Sequence, residues 1–324
     1  MRVLSGIQPS GRLHLGNYFG ALRKHIELQD QHECFYFIAN YHALTSINDA
    51  RRLEELTLEV GLTYLALGLD PAKAVFFRQT DVPEVNELAW ILSCVTPLGL
   101  LQRAHSYKDK VAQGLLPNQG LFAYPVLQAA DILIYKSNLV PVGQDQAQHI
   151  EMTQDIQAKF NQAFGCELLV RPEPLISAGA AVVLGIDGRK MSKSYDNTIE
   201  LFAPPKQARK RIMAIKTDST PVEEPKNPAT CNVMALLRLL APRDEVTQWE
   251  ERYHKGGMGY GEVKSRLAEL FEQTFAAPRQ RYEELVKRPD EVNRILADGG
   301  RRAREVARAT MREVRKACGL VVSG

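Results

Sequence analysis

The apolar positions change their period along the chain. Arg2 to Ile7 reads as a short buried strand that stops at the turn cluster Gln8-Pro9-Ser10-Gly11. Asn17 to Leu28 reads as helical. Cys34 to Ala39 (CFYFIA) is an aromatic and apolar run between polar residues, the pattern of a central strand. From Arg51 to Leu67, the residues Leu53, Leu56, Val60 and Leu67 stay near one helical face. Val75-Phe76-Phe77 follows Asp70-Pro71 as another strand. A helix is expected from about Pro125 to Tyr135, a strand over Leu139 to Val142, and a further helix from near Gln144 past Phe160. Strands alternating with long helices imply crossover units and a parallel sheet, so the first 190 or so residues predict a doubly wound α/β domain.

After about Leu201 no strand alternation is found. Helical stretches follow at Val233–Leu240, Tyr260–Phe275 and Arg279–Lys287. The segment 217–230 carries three prolines and is expected to be a connecting loop. Gly256-Gly257-Met258-Gly259 is expected to be a turn between helices rather than a phosphate loop. Asp290 to Leu320 predicts one long final helix. Between Arg279 and Lys316 twelve basic residues face seven acidic ones. Such a run is ordinarily a solvated helix face, and it is also what a polyanion-binding flank looks like.

Composition narrows the class without naming a function. The 324 residues carry a formal net charge of +3 and an ordinary apolar share, which excludes disordered and fibrous chains. No apolar run approaches the roughly 20 residues of a membrane span, and the N-terminus lacks the pattern of a signal peptide. Five cysteines (34, 94, 166, 231 and 318) are scattered singly, which points to reduced thiols rather than disulfides or a zinc site.

Two segments carry chemistry. His14-Leu15-Gly16-Asn17 sits between the first strand and the first helix, where backbone N–H groups and the helix dipole favour bound phosphate. Gly11 and Gly16 allow close approach of a nucleotide. His14 and Asn17 add polar groups that can meet charge developing in a transition state. A lone histidine at that place would do no more than cap the helix. The second segment, Lys190-Met191-Ser192-Lys193-Ser194, holds two lysines three apart in a Ser-bearing loop after Asp187-Gly188-Arg189. Flexible point charges of this kind suit a pyrophosphate leaving group, and such a loop can close and open. Either segment alone is a weak signal; the two together are specific.

Together they resemble the signature pair of class I aminoacyl-tRNA synthetases, with Asn17 in place of the final histidine of HIGH. GIQPSGRLHLGNYFGAL at 6–22, YHALT at 41–45, YPVLQAADILIY at 124–135, VPVGQDQ at 140–146, KMSKSYDNTI at 190–199 and KTDSTP at 216–221 are similar to tryptophanyl-tRNA synthetases across nearly the whole chain. The resemblance implies a Rossmann-like catalytic domain over residues 1–200. It further implies an all-α anticodon-binding domain over 201–290 and a C-terminal helix over 291–324 packing back towards the catalytic part. It implies ATP with Mg²⁺, L-tryptophan and tRNA(Trp) as partners, a homodimer and a cytoplasmic location. The family's catalytic residues map onto His14, Asn17, Lys110, Lys190 and Lys193. The ATP site maps onto Gln8, Pro9, Ser10, Gly16, Asn17, Gly143, Gln144, Asp145, Val183, Lys190, Met191, Ser192, Lys193 and Ser194. The amino-acid pocket maps onto Leu4, Gln8, His42, Tyr124, Gln128, Asp131, Val140, Val142 and Gln146.

Tyr124, Gln128 and Asp131 are spaced to share one helix face. Asp131 can accept from an indole N–H, a donor-only group. Many tryptophanyl enzymes carry Met where Gln128 stands, and Tyr-xxx-Gln-xx-Asp also resembles tyrosyl-tRNA synthetases. The pocket by itself leaves the phenol and the indole open; the flanking phrases favour tryptophan. Two other readings are a small-molecule adenylyltransferase, which would lack KMSKS, and a paralogue that binds tryptophan or tRNA without charging. Some tryptophanyl branches hold an iron–sulfur cluster on spaced cysteines; without a CxxC, no cluster, structural zinc or other protein-held metal is expected.

Overall fold

The computed structural model describes residues 1–104, 118–143, 146–176 and 182–320. Five parallel strands form one sheet: β1 Arg2–Ile7, β2 Glu33–Ile38, β3 Ala74–Arg78, β4 Leu139–Val142 and β5 Glu173–Ile176, in the order β3-β2-β1-β4-β5. The order reverses direction between β1 and β4. In doubly wound sheets ligands bind at that switch point, outside the carboxyl ends of the strands. Gln8 and Gly143 follow those two ends.

Alternation along the strands separates two cores. Cys34, Tyr36, Ile38, Ala74 and Phe76 enter one apolar cluster; Phe35, Phe37, Val75 and Phe77 enter the other. The helices in chain order are α1 Leu15–Asn17, α2 Arg23–Leu28, α3 Asn40–Ala43, α4 Ala50–Leu67, α5 Glu84–Ser93, α6 Leu98–Gln102, α7 Gln119–Leu133 and α8 Ala147–Ala163. The π-helical turn Tyr18–Leu22 joins α1 to α2. Asp49 caps α4 by accepting from the Arg52 N–H at 3.0 Å, and Gly68 in left-handed conformation closes it. Helices α5, α7 and α8 supply Leu88, Val126, Ala130, Ile150 and Phe160 to the second cluster. No helix among the described residues is long and apolar enough to cross a membrane.

From Pro205 onward the described residues form helices and connecting turns: α9 Pro205–Met213, α10 Asn232–Leu240, α11 Arg243–Lys255, α12 Tyr260–Val286 and α13 Pro289–Ala317. Val263, Leu267, Phe271 and Phe275 of α12 join the first cluster, so the helical part and the sheet share apolar packing. Helix α13 lies against the edge strand β3. A methyl group on Gly299 would stand 1.9 Å from the Phe76 carbonyl oxygen, so only glycine lets helix and strand approach this closely. Arg304 and Arg308 donate to Glu84, and Arg315 to Glu87, tying α13 to α5.

Several elements differ from the sequence expectation. Helix α7 begins at Gln119, capped by Asn118, and Pro125 lies inside it rather than at its start. The expected break at Pro278 is absent, because α12 runs through it to Val286. Strand β5 went unread because Glu-Pro-Leu-Ile is short and carries the proline that edge strands tolerate. Helices α3, α5, α6, α9 and α11 are likewise outside the sequence expectation. The glycines at 256–259 do form the turn between α11 and α12, and Gly256 adopts φ 74°. Part of the basic surplus is structural, since Arg304, Arg308 and Arg315 are committed to α5.

Candidate functional site

The two signature loops meet. Lys193 Nζ donates to the Gly11 carbonyl at 2.9 Å and to Ser10 Oγ at 3.3 Å. The Gly16 N–H donates to Met191 Sδ at 3.4 Å. Backbone bonds lace the same seam: Leu15 N–H to Ile199 O at 3.0 Å and Leu201 N–H to Leu13 O at 3.1 Å. Asn17 Oδ1 accepts from the His14 N–H at 3.1 Å, which fixes the turn and leaves the Asn17 amide donors available. A Cβ on Gly16 would stand 2.9 Å from the His14 ring, so position 16 excludes side chains.

Burial and a neighbouring cation set the charges at this seam. His14 is pushed down to about 4, first by burial and then by the Lys193 ammonium. Its imidazole is therefore neutral in the physiological range, and its buried Nδ1 has no partner among the described residues. Lys193 is pushed down to about 8, first by burial, with Glu200 and Glu59 opposing the shift and Arg52 adding to it.

The loop that carries Lys190 and Lys193 is held from beneath by Asn197, which sequence reasoning did not single out. Asn197 is buried; its Oδ1 accepts from the Ser192 N–H at 2.7 Å. Its Nδ2 donates to Asp187 Oδ1 at 2.7 Å and to the Lys190 carbonyl at 3.1 Å. Asp187 is held well below the usual carboxylate range, chiefly by that Asn197 donor and then by Arg189. Ser192 Oγ and Ser194 Oγ lie 2.8 Å apart. The side chains of Val183 and Met191, both assigned to the ATP site by resemblance, are buried in the core. Met191 N–H donates to Val183 O at 2.8 Å, so what these two offer a nucleotide is the position of the loop.

Beside this seam, at the switch point, lies a cavity of about 440 Å³, within the range of small-molecule sites. All nine residues of the expected amino-acid pocket line it: Leu4, Gln8, His42, Tyr124, Gln128, Asp131, Val140, Val142 and Gln146. Gly143 lines it as well. Gly6, Phe37, Thr45, Ile132 and His149 join them without a sequence signal of their own. His149 links two expected residues: its Nε2 lies 2.9 Å from Tyr124 Oη and its Nδ1 2.8 Å from Gln146 Oε1. Asp131 is almost fully buried, with His42 Nε2 at 2.8 Å. Burial pushes its carboxyl up, while His42 and Gln79 pull it back down. Lys110, Gln144 and Asp145 lie outside the described residues.

A parallel sheet in this order, with a neutral histidine and a lysine loop meeting beside a pocket at its switch point, defines a nucleotide-binding enzyme of the doubly wound class. More narrowly, the chain belongs to the class I tRNA synthetases of the tryptophan and tyrosine group, whose family model matches residues 1–276. It is 52% identical over 320 residues to the tryptophan–tRNA ligase of Rhodopirellula baltica, covering 99% of this chain and 100% of that one. It is 50% identical to the tryptophan–tRNA ligase of Fusobacterium nucleatum, with 99% and 98% covered. The structure is similar to tryptophanyl-tRNA synthetase from Campylobacter jejuni complexed with ADP and tryptophan. That match has a TM-score of 0.91 and 48% identity, and covers 98% of this chain and 100% of that one.

Proposed function

We propose that this chain is a tryptophan–tRNA ligase that activates L-tryptophan with ATP and transfers it to the 3′ end of tRNA(Trp). The carrying observation is a small cavity with a buried carboxylate, opening beside the loops of His14 and Lys193. A carboxylate oxygen of tryptophan attacks the α-phosphorus, the bond to the β-phosphate oxygen breaks, and pyrophosphate leaves. The terminal adenosine hydroxyl of the tRNA then attacks the activated carbonyl and AMP leaves. Neither step needs a covalent enzyme intermediate, so catalysis consists of positioning and charge stabilisation.

The same proposal assigns the residues their roles. Asp131 accepts the indole N–H, and the apolar walls Leu4, Val140 and Val142 enclose the ring. Tyr124, Gln146 and Gln8 hold the ammonium and carboxylate. Gln8, Pro9, Ser10, Gly16, Asn17 and Gly143 face the nucleotide. His14, neutral and with an Nδ1 that has no partner among the described residues, can hydrogen-bond a phosphate oxygen without bringing charge. Lys190 and Lys193 follow the departing pyrophosphate. Mg²⁺ would arrive on the triphosphate, keeping several waters, since the donors at this seam are mainly His, Lys, Asn and Ser.

Residues 1–200 carry catalysis in this reading, 201–290 meet the anticodon arm and the C-terminal helix from residue 291 braces the sheet. The same reading takes the location to be cytoplasmic, where the charged tRNA supplies protein synthesis. A homodimer is supported by Trp90 and Leu98, exposed on α5 and α6; light scattering of wild type and Trp90→Glu tests it. The function itself is tested by amino-acid-dependent ATP–pyrophosphate exchange, with tryptophan and tyrosine side by side, followed by tRNA charging. Tryptophan is expected to stimulate exchange; stimulation by tyrosine alone would defeat the proposal.

A further inference from the structure

The carboxylate that reads the ring is itself held by a residue outside the cavity wall. Gln79, 1% exposed in the turn after β3, donates from Nε2 to both Asp131 oxygens at 2.9 Å. Its other end settles which way the amide faces. Gln79 Oε1 accepts from the Tyr41 N–H at 3.0 Å and the His42 N–H at 3.4 Å, so Nε2 must point at the carboxylate. A second pair latches the same two segments: Asn40 Nδ2 donates to Thr80 Oγ1 at 2.9 Å and Thr80 N–H to Asn40 Oδ1 at 3.2 Å. With His42 Nε2 at 2.8 Å, Oδ2 meets two donors and Oδ1 one among the described residues. A carboxylate oxygen accepts about two hydrogen bonds, which leaves one open acceptor place on Oδ1.

Given the assignment of the cavity to tryptophan, we propose that Gln79 is a positioning residue for ring recognition. By donating to both Asp131 oxygens it holds the carboxylate with one acceptor left for a ligand N–H. It also registers Asp131 against His42, so two walls of the cavity keep one geometry. A ring without a donor leaves that buried acceptor unmet, which is the costly outcome that selects against it.

The test is exchange kinetics with L-tryptophan and with its isostere bearing sulfur in place of the indole N–H. Gln79→Glu keeps an acceptor for the Tyr41 and His42 N–H groups and replaces the donor with a carboxylate. Gln79→Met removes donor and acceptor without adding charge. In both, KM for tryptophan is expected to rise while kcat changes much less. The preference in kcat/KM for tryptophan over the sulfur isostere is expected to fall by about tenfold, the worth of a hydrogen bond to a charged group. A variant that keeps exchange with an unchanged preference overturns the role of Gln79, whatever its stability. Should both variants fail to fold, the wild-type protein decides: its Gln79 side-chain amide ¹⁵N–¹H signals must shift more with tryptophan than with the isostere, and equal shifts overturn the proposal. Absence of tryptophan-dependent exchange in wild type would instead sink the functional reading.

Discussion

At the residue scale, the chemistry rests on groups whose charge is set by burial. Burial pushes Lys193 down to about 8, and in the proposed reaction its ammonium is the form that follows pyrophosphate. Its charge is present below that pH and is lost as pH rises through it. Exchange kcat/KM for ATP is therefore expected to fall above about pH 8, and the fall should be missing in Lys193→Arg, whose guanidinium stays charged. Lys193→Ala should lower kcat by about a hundredfold with little change in the tryptophan KM; an equal loss of tryptophan affinity would contradict that role. Asp131→Asn swaps one of the acceptor oxygens for an NH₂ that opposes the Gln79 donor. Discrimination against the sulfur isostere, measured by exchange, should collapse.

At the scale of elements, the lysine loop is only as rigid as the side chain under it. Asn197→Ala deletes three hydrogen bonds to that loop and is expected to cost about 1–3 kcal/mol in calorimetric unfolding. It should also reduce kcat and leave the tryptophan KM in place, since the cavity walls come from other elements. The His14 turn and the lysine loop are far apart in the chain and joined by the Gly16 and Lys193 contacts. Their spacing in sequence carries no distance information, because the approach is made by the Leu13–Leu201 and Leu15–Ile199 bonds. The element types were largely legible: β1 to β4, α4, α8 and α13 follow hydrophobic period. Their ends were less so. The sequence expectation makes proline a boundary at Pro125 and Pro278, while helices α7 and α12 continue through both residues.

At the scale of the whole molecule, the helical part is built onto the sheet. Gly299 sits where any Cβ would strike the Phe76 carbonyl, so Gly299→Ala must push α13 away from β3. A loss of about 3 kcal/mol, read as a Tm several degrees lower, is expected. Arg312 and Lys316 are exposed on α13 and, in the proposed function, face a polyanion. Charging of tRNA should therefore weaken steeply with added salt while pyrophosphate exchange, which uses no tRNA, changes little. Equal salt sensitivity of the two assays would count against tRNA contact as the source.

The chain's own order of residues determined the alternation of strand and helix and the two signature motifs, and the nine cavity residues followed from the family resemblance that those and the flanking phrases carry. Each of these rests on local pattern: the periodicity of one element, or a motif whose members lie close together. Only the tertiary structure decided that Gln79 grips Asp131, that His149 links Tyr124 to Gln146 and that Asn197 carries the lysine loop. It also decided that three arginines of α13 serve packing. A buried amide or imidazole leaves no periodic trace, since its partners, near or far in the chain, come within reach only in the fold and the bond matters only once burial has removed the competing water.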